Sequence, residues 1–177
     1  ALDMGQLELA NKSESYEICF VPDNDYRAFL RHKVEDLEEK VAGGNFVLND
    51  GTVVGKHQGY PFYTIGQRKG LGIALGQPMF VTKIIPETNT VVLGTIGELQ
   101  RSSAFVKNLN LIKYESITEP LEATTKIRYK DAGTLSSIVQ DGDFMKVDFH
   151  HQVSGIAPGQ SAVFYEGNDL LGGGFLV

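Results

Sequence analysis

Cys19 is the only cysteine in the chain and its one obvious nucleophile. It lies in Glu17-Ile18-Cys19-Phe20-Val21, an apolar run stopped by Pro22. Such a thiol has two readings. It can be an inert small hydrophobe, or it can be reactive, because Pro22 and the turn-forming Asp23-Asn24-Asp25 end the strand near a surface. Glu14 and Glu17 offer it no cation, so any activation has to come from elsewhere in the fold.

The segment from His57 to Ile73, His-Gln-Gly-Tyr-Pro-Phe-Tyr-Thr-Ile-Gly-Gln-Arg-Lys-Gly-Leu-Gly-Ile, is the most information-rich stretch. Five glycines or prolines in 17 residues make a poor regular element, yet four rings are interleaved with the adjacent cations Arg68 and Lys69. Glycines let backbone approach a ligand, cations meet phosphate, and rings stack on bases. The plainer reading is a packed turn with an exposed basic tip. Walker-type phosphate binding does not fit Gly66-Gln67-Arg68-Lys69-Gly70, which lacks the spacing and the Lys-Ser/Thr ending.

Other chemistry has little support. Of the histidines His32, His57, His150 and His151, none is near Cys19, and the adjacent pair would point to opposite faces of a strand. No metal site is therefore expected. There is no Gly-x-Ser-x-Gly elbow. Gly172-Gly173-Gly174 reads as close strand packing or a bulge, because no helix follows it to bind phosphate.

The elements that must position these residues change character along the chain. Met4–Ala10 reads as the end of a helix, and Glu17–Val21 as a buried strand. Asp23 and Asp25 are N-cap candidates for a helix carrying Tyr26, Phe29 and Leu30 on one face and running to Lys33. Glu35–Lys40 forms another helical turn, ended by Gly43-Gly44. Phe46–Leu48 and Thr52–Val54 flank Asn49-Asp50-Gly51 as a β-hairpin. Met79–Ile85 and Thr90–Gly94 form a second around Glu87-Thr88-Asn89. Six strands then follow: Ala104–Ile112, Leu121–Tyr129, Leu135–Val139, Phe144–Phe149, Ser161–Tyr165 and Leu170–Val177. With no helix between them they predict a closed antiparallel barrel or a sandwich. The expected fold class is mostly β with a small α/β segment: a remnant carrying the cysteine (1–21), a central mixed α/β domain (22–98) and a C-terminal antiparallel β-barrel (99–177).

The chain's 177 residues suffice for one ordinary domain or two small ones, and 42% hydrophobic with 21% charged residues is a globular composition. No run is long enough to cross a bilayer. The opening Ala-Leu-Asp-Met-Gly-Gln-Leu-Glu lacks a signal peptide's basic flank and apolar core and starts in mid-pattern, as a cut from a longer parent would. One cysteine precludes an internal disulfide framework, so a reducing cytoplasm is expected. Net charge is −6, which argues against a general nucleic-acid binder. Its distribution matters more. Residues 1–50 hold 11 acids and 5 bases and account for the whole −6. Gly51 to Pro86 has no acid but has Lys56, Arg68, Lys69 and Lys83, and Leu99 to Tyr114 has none beside Arg101, Lys107 and Lys113. A chain acidic overall can thus meet an anion locally.

Several blocks occur in a telling order: Ser15-Tyr16-Glu17-Ile18-Cys19-Phe20, Thr64-Ile65-Gly66-Gln67-Arg68-Lys69-Gly70-Leu71-Gly72-Ile73, Lys126-Ile127-Arg128-Tyr129, Ala157-Pro158-Gly159-Gln160-Ser161-Ala162-Val163-Phe164-Tyr165 and Leu171-Gly172-Gly173-Gly174. Over essentially its whole length the chain resembles the C-terminal half of the tRNA-specific 2-thiouridylases (the MnmA/TrmU family). The resemblance implies a parent enzyme that replaces the 2-oxygen of the wobble uridine, U34, with sulfur, using ATP and Mg²⁺ held by an N-terminal domain. It implies that Cys19 is the second of two cysteines and carries sulfur as a persulfide. A persulfide's terminal sulfur is a nucleophile, and a second thiol can release it by closing a disulfide. It places Arg128, Tyr129 and Gln160 at positions that touch tRNA, and Arg68 and Lys69 toward tRNA or another domain. The implied partners are the tRNA anticodon stem-loop and a sulfur-relay donor protein or cysteine desulfurase, with no membrane. Two departures stand out. The Ser-Gly-Gly-Val-Asp-Ser pyrophosphate loop and the first cysteine are absent, so no cofactor is expected on this fragment, and it should be inactive alone. Glu17 stands where many members have Gly.

Two other functions compete. One is a non-catalytic β-barrel RNA- or protein-binding module like the second domain of translation elongation factors, with Cys19 inert. The other, a stand-alone cysteine enzyme, lacks an evident histidine base.

Overall fold

The computed structural model describes residues 21, 25–129 and 131–177. Cys19, the strand expected around it, the helix end at Met4–Ala10 and the Asp23 cap candidate lie outside the described residues. The chain divides into two compact units, Ala1–Lys40 and Val41–Val177.

In the first unit, helix α1 spans Tyr26–Lys33. Asp25 caps it as expected, its carboxylate accepting from the Ala28 amide at 2.9 Å. Arg31, His32 and Lys33 crowd its last turn, where cations complement the helix dipole. Helix α2, Leu37–Val41, follows across the boundary between the units.

The second unit opens with a four-stranded sheet of β1 (Gly44–Leu48), β2 (Val53–His57), β3 (Phe80–Ile85) and β4 (Thr90–Gly94), in the order β2-β1-β4-β3. Both expected hairpins form. In the first, Asp50 accepts from the Thr52 amide at 2.8 Å, and Gly51 takes the positive φ of 88° that the turn requires. The second turns through Pro86–Thr88 and a left-handed Asn89 at φ 47°. The parallel pairing of β1 with β4 was not expected from sequence. Asn89 helps fix it: its carbonyl accepts from the Asn45 amide at 3.2 Å, and its side-chain amide donates to the Val41 carbonyl at 2.7 Å. Phe46, Val81, Val91 and Leu93 are fully buried in this layer.

Helix α3 (Ile96–Leu99) is one short turn, opened by a capping box in which the Thr95 amide donates to the Glu98 carboxylate at 2.7 Å. Strand β5 begins at the next residue. The strands β5 (Gln100–Leu111), β6 (Leu121–Lys126), β7 (Thr134–Asp141), β8 (Phe144–Ser154), β9 (Ser161–Glu166) and β10 (Asp169–Leu176) close a barrel in the order β10-β5-β8-β7-β6-β9. Every neighbouring pair is antiparallel. Period-two alternation sends Met145, Val147 and Phe149 of β8 and Ala162 and Phe164 of β9 inward. The buried hydroxyls of Thr125 and Ser136 satisfy each other at 2.7 Å.

Gly172, Gly173 and Gly174 are where β10 presses between β5 and β9. A Cβ on Gly172 would lie 2.3 Å from the Asn110 carbonyl oxygen, and one on Gly173 2.5 Å from that of Ala162. Register shifts on both sides confirm the close-packing and bulge reading. β6 is shorter than its expected range, ending at Lys126 and not at Tyr129. Asp131 causes this: its two carboxylate oxygens accept from the Ile127 and Gly133 amides at 3.1 and 3.0 Å. Its own amide donates to the Arg128 carbonyl at 3.0 Å, folding Arg128-Tyr129 into a turn. Among the described residues no helix is long and apolar enough to cross a membrane.

Candidate functional site

Two turns meet at one end of the β6–β9 ladder. One is the Asp131-pinned turn that carries Arg128 and Tyr129. The other is Ala157-Pro158-Gly159-Gln160, closed by the Gln160 amide donating to the Ala157 carbonyl at 3.2 Å. Pro158 at its second position and Gly159 at φ 86° at its third are the residues a type II turn demands. Ser161 then starts β9, and Leu176 of β10 donates its amide to the Gln160 carbonyl at 2.8 Å, so the turn is held at both ends.

Between the two turns lies a pocket of about 630 Å³ lined by Lys126, Ile127, Arg128, Tyr129, Gln160 and the outer face of β9. Its floor is apolar, since Ile127 is fully buried. Its rim is polar. Arg128 is exposed, and Tyr129 is 69% exposed, the largest value among the exposed large apolar and aromatic side chains. Among the described residues neither Lys126 nor Arg128 is in an ion pair. The Gln160 side-chain oxygen is buried and accepts no hydrogen bond. A buried acceptor without a donor costs about 1–3 kcal/mol.

The basic segment from the central sheet reaches the same place. Thr64–Gln67 is a tight turn, with the Gln67 amide donating to the Thr64 carbonyl at 2.9 Å and Gly66 at φ 86°. Backbone bonds from Gly66 to Val81 and from Val81 to Gln67, at 2.8 and 2.9 Å, pin the turn to the start of β3. The Gln67 side chain spans it, accepting from the Thr64 amide and donating to the Lys69 carbonyl. Arg68 and Lys69 are left exposed on a braced loop. A Cβ on Gly66 would sit 3.8 Å from the Cα of Gly155, and a Cβ on Gly155 would meet the Arg128 guanidinium at 3.3 Å. Sheet loop, barrel loop and Arg128 therefore stand in succession.

Three of the four rings expected to offer stacking faces do not. His57, Phe62 and Tyr63 are buried at 5, 5 and 8% exposure. His57 packs edge-on to Phe46 at 5.1 Å, and its Nδ1 accepts from the Gly59 amide at 3.0 Å. Burial pushes its pKa down, with the nearby Asn89 carbonyl opposing the shift. The rings are the core on which the cations are mounted. His150 and His151 are both exposed on β8, and the described residues hold no group of three or more metal-ligating side chains.

The expected residues Arg128, Tyr129 and Gln160 thus converge on one pocket, and Arg68 and Lys69 lie on a loop that abuts it. Cys19 lies outside the described residues. Sequence reading missed Lys126 and Tyr165, which line the pocket only because β6 and β9 pair in one register, a non-local fact.

Comparison with known proteins agrees with this architecture. Residues 27–95 match the family model described as the tRNA methyl transferase PRC-barrel domain, and residues 101–176 match the aminomethyltransferase β-barrel domain. The tRNA-specific 2-thiouridylase MnmA of Cytophaga hutchinsonii is 60% identical over 177 residues, covering 99% of this chain and 48% of the relative. That of Amoebophilus asiaticus is 58% identical, covering 99% and 47%. That of Salinibacter ruber is 50% identical, covering 99% and 46%. The chain spans about half the length of the curated relatives it matches. It belongs to the tRNA-specific 2-thiouridylase family, and it corresponds to the C-terminal half of the family's members.

Proposed function

We propose that this chain is the tRNA-holding half of a 2-thiouridylase, presenting the anticodon stem-loop so that sulfur reaches C2 of the wobble uridine. The observation that carries the reading is the convergence of Arg128, Tyr129 and Gln160 on one pocket beside the braced Arg68-Lys69 loop. Their chemistry suits folded RNA: guanidinium for phosphate, an exposed phenol ring for stacking or 2′-hydroxyl contact, and a glutamine amide for a polar edge. The 22–98 segment and the 99–177 barrel act as two halves of one clamp, a division supported by the two family-model ranges.

Cys19 is the residue proposed to carry sulfur. It receives a terminal sulfur from a donor protein or cysteine desulfurase as a persulfide. It gives that sulfur up when a second cysteine's thiolate attacks Cys19 Sγ and closes a disulfide. ATP and Mg²⁺ do not fit the residues present. The sequence has no pyrophosphate loop, and the described residues hold no cluster of acidic or imidazole ligands. Their binding is assigned to the longer parent, which works in the cytoplasm.

The test is titration of a fluorescent anticodon stem-loop with the chain across a salt series. The chain should bind with a steep salt dependence. Arg128→Ala should weaken binding about tenfold, as expected for a lost charge-assisted contact, and Cys19→Ser should leave it unchanged. In the full-length parent, Cys19→Ser should abolish thiolation. Normal thiolation by that variant would end the catalytic assignment. RNA binding indifferent to Arg128 would favour the non-catalytic module.

A further inference from the structure

Lys126 and Tyr165 form one wall of the pocket. Antiparallel pairing of β6 with β9 sets Thr124 opposite Tyr165 and Lys126 opposite Val163. Lys126 and Tyr165 are therefore diagonal neighbours on the barrel's outer face, where long side chains reach each other. The Lys126 ammonium lies over the Tyr165 ring, 5.4 Å from its centroid. On the other side its stem runs beside Gly133 at the start of the β7 strand region. A Cβ there would come 3.3 Å from Lys126 Cγ and 3.6 Å from Cε. A lysine on a surface ordinarily keeps four rotatable bonds free and gives up much entropy when it binds. This one is confined along its stem and steered at its head. No carboxylate among the described residues neutralises it.

We propose that Lys126 is a second phosphate-binding cation of this site, and that Tyr165 is its positioning residue. Lys126 and Arg128 are two residues apart in the chain. Lys126 stands at the end of β6 and Arg128 in the turn beyond, both against the same pocket. Arg128 binds one phosphodiester of an RNA strand laid across the pocket, and Lys126 binds a neighbouring one. The cation–π contact on Tyr165 holds the ammonium ready and leaves its N–H groups for phosphate oxygen. The inference rests on reading the pocket as an RNA site and adds to that reading the path of the strand.

The experiment uses the 177-residue chain and a fluorescent anticodon stem-loop, titrated between 50 and 200 mM salt, roughly the range over which phosphate contacts are read. Lys126→Gln should weaken binding about tenfold at the lower salt and reduce the slope of log K against log salt by about 0.7 to 0.9, the value of one phosphate. Lys126→Arg should restore both. Tyr165→Leu should weaken binding by less, and Tyr165→Phe, which keeps the ring, should not. Combined with Lys126→Gln, Tyr165→Leu should add no further loss, because it acts only through the lysine. All of these side chains face outward, so the unfolding midpoints should match the wild type.

Four results overturn the proposal. An unchanged salt slope in Lys126→Gln removes the phosphate contact. A loss from Tyr165→Leu that persists in the Lys126→Gln background makes the ring a base-stacking platform and not a positioning residue. A wild-type chain that binds no RNA removes the functional reading and this inference together. If Arg128→Ala weakens binding while Lys126→Gln does not, the RNA site stands and the inference alone falls.

Discussion

The imidazole of His57 is enclosed by Phe46 and Tyr63, with Nδ1 accepting from Gly59 and Nε2 buried without a well-formed hydrogen bond. Burial lowers its pKa below the ordinary value of 6.5, so the folded state favours the neutral ring. The unfolded chain takes up its proton near pH 6.5 and the folded chain only at lower pH. Stability from this site is therefore complete above that value and is lost as pH falls toward the folded pKa. Urea unfolding at pH 7.5 and 5.5 should show the wild type weakening on acidification and His57→Gln weakening less. A matched decline in both proteins would place the acid sensitivity elsewhere. The sequence showed rings beside cations in this segment but not which faced inward. That is decided by contact with Phe46 on another strand, beyond the reach of local pattern. At Arg128, Tyr129 and Gln160 the residue types fitted RNA, but only the ordered blocks shared with the family singled them out.

Asp131 governs its neighbourhood at the scale of an element. It ends β6 three residues before its apolar pattern does, and the residues released from the ladder are the ones that face the pocket. Asp131→Ala would orphan the Ile127 and Gly133 amides. It should destabilise the barrel by about 1–3 kcal/mol, and Asp131→Asn should cost less because it keeps an acceptor. Hydrogen exchange at these two amides, together with a thermal melt, would check this. Exchange unchanged in Asp131→Ala would mean that the turn has another anchor. Strand count and type were legible through all of 99–177, because alternation and turn residues are local. The β6 end was not, since Leu121–Tyr129 reads continuously and the carboxylate that interrupts it comes later in the chain. The parallel β1–β4 pairing was equally hidden. It depends on contacts made across 41 intervening residues of chain, between Leu48 and Thr90 at the nearest strand ends.

For the molecule as a whole, charge is divided. The first 50 residues carry the entire net −6, while the rest of the chain is balanced and holds the exposed cations around the pocket. That division was visible in the sequence. The approach of the Gly66 loop to the Gly155 loop was not, and it joins cations from two different folds into one surface. Nothing loose separates those folds, because α3 ends at Leu99 and β5 starts at Gln100. The chain passes from sheet layer to barrel as a welded elbow passes between two pipes. Inserting Gly-Ser-Gly-Ser there should leave each fold intact but lower RNA affinity toward that of the barrel alone, because the second set of contacts would no longer be held in place. Anisotropy titration would measure the loss, and undiminished affinity would show that the elbow carries no alignment. On the proposed reading, a ligand gripped by the barrel would meet the Arg68-Lys69 loop at an angle that the Leu99–Gln100 junction sets.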